Sequence, residues 1–225
     1  MKLELINQRA EAFAKSEGMS FHDKETSPAM WALYILGCLW IWNRRFLTKQ
    51  TTIMGGRVYW PKSVRASSRR YRTILHEAVH NMDARGRGGW FRFYLLYLFP
   101  QCLAPFALLA VQGGPWLYSL VFMLAAAPWP APWRFKYEGR AFKINLWLDL
   151  QWAAQTTSEA WMAHMKRRYV DKLSSFGTYY GMATPDQARE WFDLAALERI
   201  HPWPGFYAAL WDVFAGSDPG AHTST

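Results

Sequence analysis

The stretch Ile74-Leu75-His76-Glu77-Ala78-Val79-His80 carries two patterns on one predicted helix. Residues four apart share a helix face, so His76 and His80 can offer two imidazoles to a single zinc ion. Glu77 sits at the edge of that face, where a carboxylate can take a proton from a zinc-bound water. Ile74, Leu75, Ala78, Val79 and Met82 gather on roughly the opposite side as a core stripe. Asp83 falls on the histidines' face and is a candidate acceptor for an imidazole N–H. The bland account is a structural histidine pair on an amphipathic helix. The apolar stripe through the motif and a strand-like segment before it favour a metal site instead.

The whole chain has 225 residues, enough for one domain with a sizeable core. Its 14 Trp, 14 Phe and 11 Tyr exceed what a soluble domain of this size needs, and aromatics favour interfaces, including membrane–water ones. A formal net charge of +9 suits an anionic partner or the cytosolic face of a membrane. No stacking platform or groove-reading motif accompanies it, so no specific nucleic-acid partner is expected. The two cysteines, Cys38 and Cys102, each lie in an apolar run and read as buried thiols. They exclude a disulfide framework and zinc-finger spacing. The first residues, Met-Lys-Leu-Glu-Leu, lead into a mixed-charge amphipathic segment rather than a signal peptide, and a cytosolic start is expected.

Residues 3 to 17 predict a helix, with Leu3, Ile6, Ala10, Phe13 and Ala14 on one stripe. A polar break follows at Asp23 to Pro28. Ala29 to Trp42 is almost wholly apolar but short for a bilayer span, so a buried helix is expected there, with an interfacial one as the alternative. Leu47 to Ile53 and Arg57 to Trp60 predict two short strands around the Gly55-Gly56 turn, ended by Pro61. Lys62 to Arg72 is a basic entry to the motif helix, which should stop near Arg85-Gly86.

No charged residue stands between Arg92 and Arg134. Two apolar runs, Phe93 to Val111 and Trp116 to Ala127, flank a Gly113-Gly114-Pro115 turn and end in Pro128, Pro130 and Pro132. Residues 93–133 therefore predict an apolar helical hairpin in or on a membrane, with both arginine flanks on the cytosolic side. A hairpin buried inside a soluble cytoplasmic protein would leave a similar pattern. Further helices are predicted over Arg134 to Trp152, Ser158 to Leu173, and Thr184 to about Ile200, where Thr184-Pro185-Asp186-Gln187 forms a capping box. A loop with Tyr179 and Tyr180 precedes the last of these. A short helix over Phe206 to Ala215 and a disordered tail at 216–225 complete a single domain spanning 1–215.

A catalytic zinc usually has three protein ligands and one open position. The metzincin spacing is excluded, because its glycine would fall at Asp83 and its third histidine at Gly86. A glutamate on a later helix is the remaining common solution. Glu138, in Tyr137-Glu138-Gly139-Arg140-Ala141, is the first choice and Glu159 the second, with Asp83 and His164 behind them.

The chain resembles the gluzincin group of zinc metallopeptidases. More loosely it is similar to their membrane-embedded branch, which places membrane helices between His-Glu-x-x-His and a Glu-x-x-Ala-Asp motif. His76 to His80 matches fully; Glu138-Gly139-Arg140-Ala141-Phe142 matches the Glu and Ala but has Phe142 in place of Asp, and Asn145 one turn on could supply the orienting hydrogen bond. The resemblance covers about residues 46 to 152. It implies a mainly α, zincin-like fold with a small β-hairpin beside the motif helix. It also implies zinc-dependent hydrolysis of peptide bonds in a peptide or protein substrate, with Glu77 as general base, on a membrane-associated protein whose catalytic face is cytosolic. Candidate oxyanion donors are Tyr137, Tyr179, Tyr180, Arg140 and His201. The competing expectation is a catalytically silent zincin-like protein that binds a membrane or a partner.

Overall fold

A computed structural model describes residues 3–40, 46–86, 88–126, 132–153, 159–175 and 183–192. The chain is mostly helical, with one small mixed sheet. Helix α1 (Leu3–Ser16) leads to strand β1 (Ser20–Asp23), and α2 (Pro28–Trp40) and α3 (Phe46–Lys49) follow. Strands β2 (Thr52–Met54) and β3 (Arg57–Trp60) precede α4 (Lys62–Arg65) and the motif helix α5 (Arg70–Gly86). After α6 (Trp90–Tyr97) come two 3-10 segments, Gln101–Gln112 and Gly114–Ala126. Helices α7 (Pro132–Ala153), α8 (Glu159–Ser174) and α9 (Pro185–Trp191) close the described chain.

Helix α5 is the centre of the packing. Of its predicted stripe, Ile74, Leu75, Ala78 and Val79 are buried and Met82 is half-buried, packed in or against a core with Ile6, Ala10 and Ala14 of α1, Ile53 and Val58 of the strands, and Ala141, Ile144 and Leu148 of α7. Asn7, itself fully buried, fixes the entry of α5: its Oδ1 accepts from the Tyr71 N–H at 2.9 Å and its Nδ2 donates to the Ser68 carbonyl at 3.1 Å. That satisfies a backbone donor that a helix start otherwise leaves open. A second core joins Phe142 and Leu146 of α7 to Met165, Tyr169, Val170 and Leu173 of α8 and Ala188 and Phe192 at α9. Helix α7 is thus packed between α5 and α8, and its polar residues Glu138, Arg140 and Lys143 are buried with it.

The sheet has the order β1-β3-β2, with β1 parallel and β2 antiparallel to β3. Gly55 (φ 58°) and Gly56 (φ 80°) make the two-residue turn between β2 and β3. A hairpin turn with positive φ at both central positions suits the twist of the strands it joins. Strand β1 was not expected: a four-residue strand beside a polar break has too little alternation to announce itself, and it forms because β3 offers a free edge. The expected strand over Leu47 to Ile53 is corrected at its start, since Phe46–Lys49 forms a helical turn and pairing begins at Thr52. Lys24, fully buried, sits against that turn, with its ammonium 3.5 Å from the Phe46 ring centre and bonded to the Gln50 carbonyl (2.8 Å) and Thr52 Oγ1 (2.6 Å).

The expected burial of the apolar segment at Ala29 to Trp42 is also corrected. Met30 is buried, but Trp31, Leu33 and Ile35 of α2 are exposed. The uncharged hairpin turns at Gly113-Gly114 as predicted, yet its two arms are 3-10 rather than α-helical. Pro100, Pro105 and Pro115 lack the N–H that an α-helical ladder would use. The arms pack on each other, Phe106 against Phe122 at 5.7 Å, and leave Leu108, Val111, Leu117, Tyr118, Val121, Met123 and Leu124 more than half exposed. No single helix among the described residues is long and apolar enough to cross a membrane; Trp90–Tyr97 with Cys102–Gln112 passes on length and composition only as a pair bent by 84°. Cys102 is half-buried and free. The capping box at Thr184 is present in full, both hydrogen bonds included. The predicted Tyr179 and Tyr180 loop, the helix beyond residue 192, the Phe206 to Ala215 helix and the tail lie outside the described residues.

Candidate metal centre

His76 and His80 stand one turn apart on α5, their rings 4.9 Å apart edge to face. Glu138, near the start of α7, meets both. Its Oε2 is 3.4 Å from Nε2 of His76 and its Oε1 is 3.7 Å from Nε2 of His80. All three donor atoms lie within 4.8 Å of one another, and among the described residues this is the group of three that could hold a metal ion. Ligand atoms about 2.0–2.2 Å from a tetrahedral zinc lie roughly 3.3–3.6 Å apart. The His76–Oε2 gap falls within that range and the His80–Oε1 gap lies just above it, each imidazole facing a different oxygen of the carboxylate.

The electrostatics suit a cation. His80 is buried and neither ring nitrogen has a hydrogen-bond partner. Burial pushes its pKa down to about 3, so the ring is neutral and its nitrogen lone pair is available. An unpartnered buried polar atom costs about 1–3 kcal/mol, and an ion at Nε2 would remove that cost. Burial works to raise the Glu138 carboxyl, but the hydrogen bond from His76, the adjacent imidazoles and the Tyr97 hydroxyl together hold it below the usual carboxylate range. A donor set of two imidazoles and one carboxylate oxygen suits zinc. Glu77 is buried beside them, and burial raises its carboxyl to about 7, with Glu138 adding to the rise while His76 and Lys24 oppose it.

Asn145 approaches the far side of His76, with Nδ2 3.3 Å from Nδ1. Its Oδ1 is buried and has no hydrogen-bond partner. A half-turn of the amide exchanges the two atoms, so that Oδ1 accepts from Nδ1–H and Nε2 is left as the ligating nitrogen. Asn145 is the residue the sequence offered in place of the aspartate of the Glu-x-x-Ala-Asp pattern, and its amide reaches His76. Phe142, the residue at that aspartate's position, packs its ring on His76 at 4.8 Å.

The other expected residues divide. Asp83 does not serve an imidazole: it is fully buried against Arg140, with 2.7 Å and 3.1 Å contacts that tie α5 to α7. The same pair draws Arg140 away from an oxyanion role. Tyr137 is fully buried against Phe93 at 4.7 Å. His164 is exposed on α8. Glu159 begins α8, but its side chain lies outside the described residues, as do Tyr179, Tyr180 and His201.

Two residues near the site were not expected. Tyr97 ends α6 and its hydroxyl donates to Oε1 of Glu138. Lys24 is close enough to Glu77 to lower its carboxyl, and its own ammonium is pulled down to about 7, chiefly by burial. The signal for Tyr97 was the aromatic stripe Trp90, Phe93, Tyr94, Tyr97 at helical spacing, which reads as core until the hydroxyl finds its partner. Lys24 gave no signal, because one lysine in a polar break reads as solvated. Comparison of the chain with protein-family models, with curated proteins and with solved structures gives no match.

Proposed function

We propose that this chain is a zinc-dependent metallopeptidase that works at a membrane surface. The observation that carries the reading is the convergence of His76 and His80 on one helix with Glu138 on another, 58 residues beyond His80 in sequence, with Glu77 buried alongside. When bound, the zinc supplies Lewis-acid polarisation of the scissile carbonyl and lowers the pKa of the attacking water. His76 and His80 would hold the ion through their imidazoles, Asn145 would set the tautomer of His76, and Glu138 would provide the anionic third ligand. Glu77 takes the proton from the water and hands it to the leaving amine. A carboxyl raised toward neutrality by burial suits both halves of that transfer, and a cation beside it draws the value lower.

The exposed apolar hairpin supports the membrane part of the reading. The exposed, uncharged side chains of Leu108, Val111, Leu117, Tyr118, Val121 and Leu124 are unfavourable in water and fit a lipid surface. Arg92 and Arg134, at the two ends of the uncharged run, would then meet anionic headgroups.

One observation favours the second reading, a metal-binding chain without turnover. The rings of Phe142, Phe93 and Tyr97 lie 4.8, 5.9 and 6.0 Å from the imidazoles and narrow the approach to them. Purified protein with and without added zinc, offered a mixed peptide library in detergent, separates the two. Zinc-dependent cleavage that Glu77→Gln removes supports the peptidase; zinc binding with no cleavage supports the silent protein.

A further inference from the structure

The geometry points to Tyr97 as the residue that confines Glu138 to one ligating oxygen, an inference that rests on the metal-centre reading above. A carboxylate can give a cation one oxygen or both. Here the two oxygens have different neighbours. Oε1 accepts the Tyr97 hydroxyl and stands 3.7 Å from Nε2 of His80, while Oε2 faces Nε2 of His76 at 3.4 Å. A hydrogen bond to Oε1 competes with its turning onto the ion, so two imidazoles and one oxygen remain. Three ligands leave the fourth tetrahedral position open, which catalysis at zinc requires. Without the hydroxyl, that competition would be lost and the carboxylate could give the ion a second oxygen beside Oε2.

The Tyr97 ring is aimed by packing, independently of the hydrogen bond it makes. It stacks on Phe93 at 5.6 Å and 27°, lies parallel to Tyr137 at 6.4 Å, and carries the Arg134 guanidinium over its face at 5.1 Å. Removing only the hydroxyl therefore leaves the ring where it is. Tyr97 acts through Glu138 and touches no substrate, so it is a positioning residue. Its neighbour Tyr94 provides the control: one turn earlier on α6, its hydroxyl donates to the Ile53 carbonyl at 2.8 Å and accepts from the Gly55 N–H at 3.2 Å, clear of the ligands.

The test uses cobalt(II) as a spectroscopic probe and zinc for affinity, on the full chain in detergent. The visible absorption of cobalt(II) falls stepwise as its coordination rises from four to five to six. Tyr97→Phe should weaken the visible band, because a second carboxylate oxygen raises the coordination number by one, and change zinc affinity by about 10- to 100-fold, the usual size of effect when a ligand loses its hydrogen-bond partner, while Tyr94→Phe changes neither. X-ray absorption on zinc-loaded wild-type protein, which needs no substitution, should find a single carboxylate oxygen at ligand distance. A Tyr97→Phe protein with the wild-type spectrum and zinc affinity, or a wild-type ion held by both oxygens, would overturn the inference and leave the metal centre standing. A wild-type protein that binds neither ion would overturn the metal centre and this inference with it.

Discussion

Asp83 and Arg140 form a buried ion pair, 2.7 Å between Oδ1 and Nη2, that clamps the motif helix to the helix carrying Glu138. It bears on the distance across which the candidate metal donors meet, because both ends of the clamp lie within a turn of one of them. Removing one partner of a buried pair leaves an uncompensated charge and costs about 3–5 kcal/mol. Asp83→Ala should lose that much stability in denaturant unfolding, and a loss within experimental error of zero would show that the clamp does not hold the two helices.

His76→Ala or His80→Ala should abolish tight zinc binding. Glu77→Gln should keep the ion and lower hydrolysis by about 10²- to 10⁴-fold, the range for a general base. Unchanged turnover in Glu77→Gln would remove Glu77 from the mechanism.

Asn145→Ala should weaken zinc by about 10- to 100-fold, whereas Asn145→Asp should keep near-wild-type affinity, because an acceptor for Nδ1–H is retained. Equal losses in the two variants would argue that Asn145 serves packing instead.

The motif helix, its stripe, the two-residue glycine turn and the long helix after the hairpin were legible in the sequence, because each follows a short-range rule of periodicity or turn chemistry. The approach of Glu138 to the two histidines was legible for the same reason, as a glutamate near the start of a helix that returns to the motif. Asp83 was misread because a helix face tells which residues point the same way and leaves open which element arrives opposite; Arg140 arrives there. Lys24 and strand β1 were illegible: one is a buried charge whose partners are a carbonyl and a hydroxyl 26 and 28 residues away, the other pairs with a strand reached only through α2.

Lys24 gives a pH prediction with a definite sign. Its folded pKa is lowered to about 7 by burial, against about 10.4 for a free lysine. Between those values the unfolded chain binds the extra proton, so stability should rise as pH climbs from 7 toward 10. Lys24→Met should flatten that slope in unfolding curves taken across the range. An identical slope in both proteins would show that Lys24 keeps its proton when folded.

Leu108→Asp or Val121→Asp should reduce flotation of the protein with vesicles containing anionic lipid, without altering zinc binding. Wild-type protein that stays monodisperse in plain buffer and does not float would contradict the membrane reading.

The central claim is that His76, His80 and Glu138 hold one zinc ion. Elemental analysis of the purified full chain, paired with Glu138→Ala and Glu159→Ala, tests it most directly. One zinc per wild-type chain is predicted, lost in Glu138→Ala and kept in Glu159→Ala. A metal-free wild type after zinc loading, or full zinc in Glu138→Ala, would contradict it.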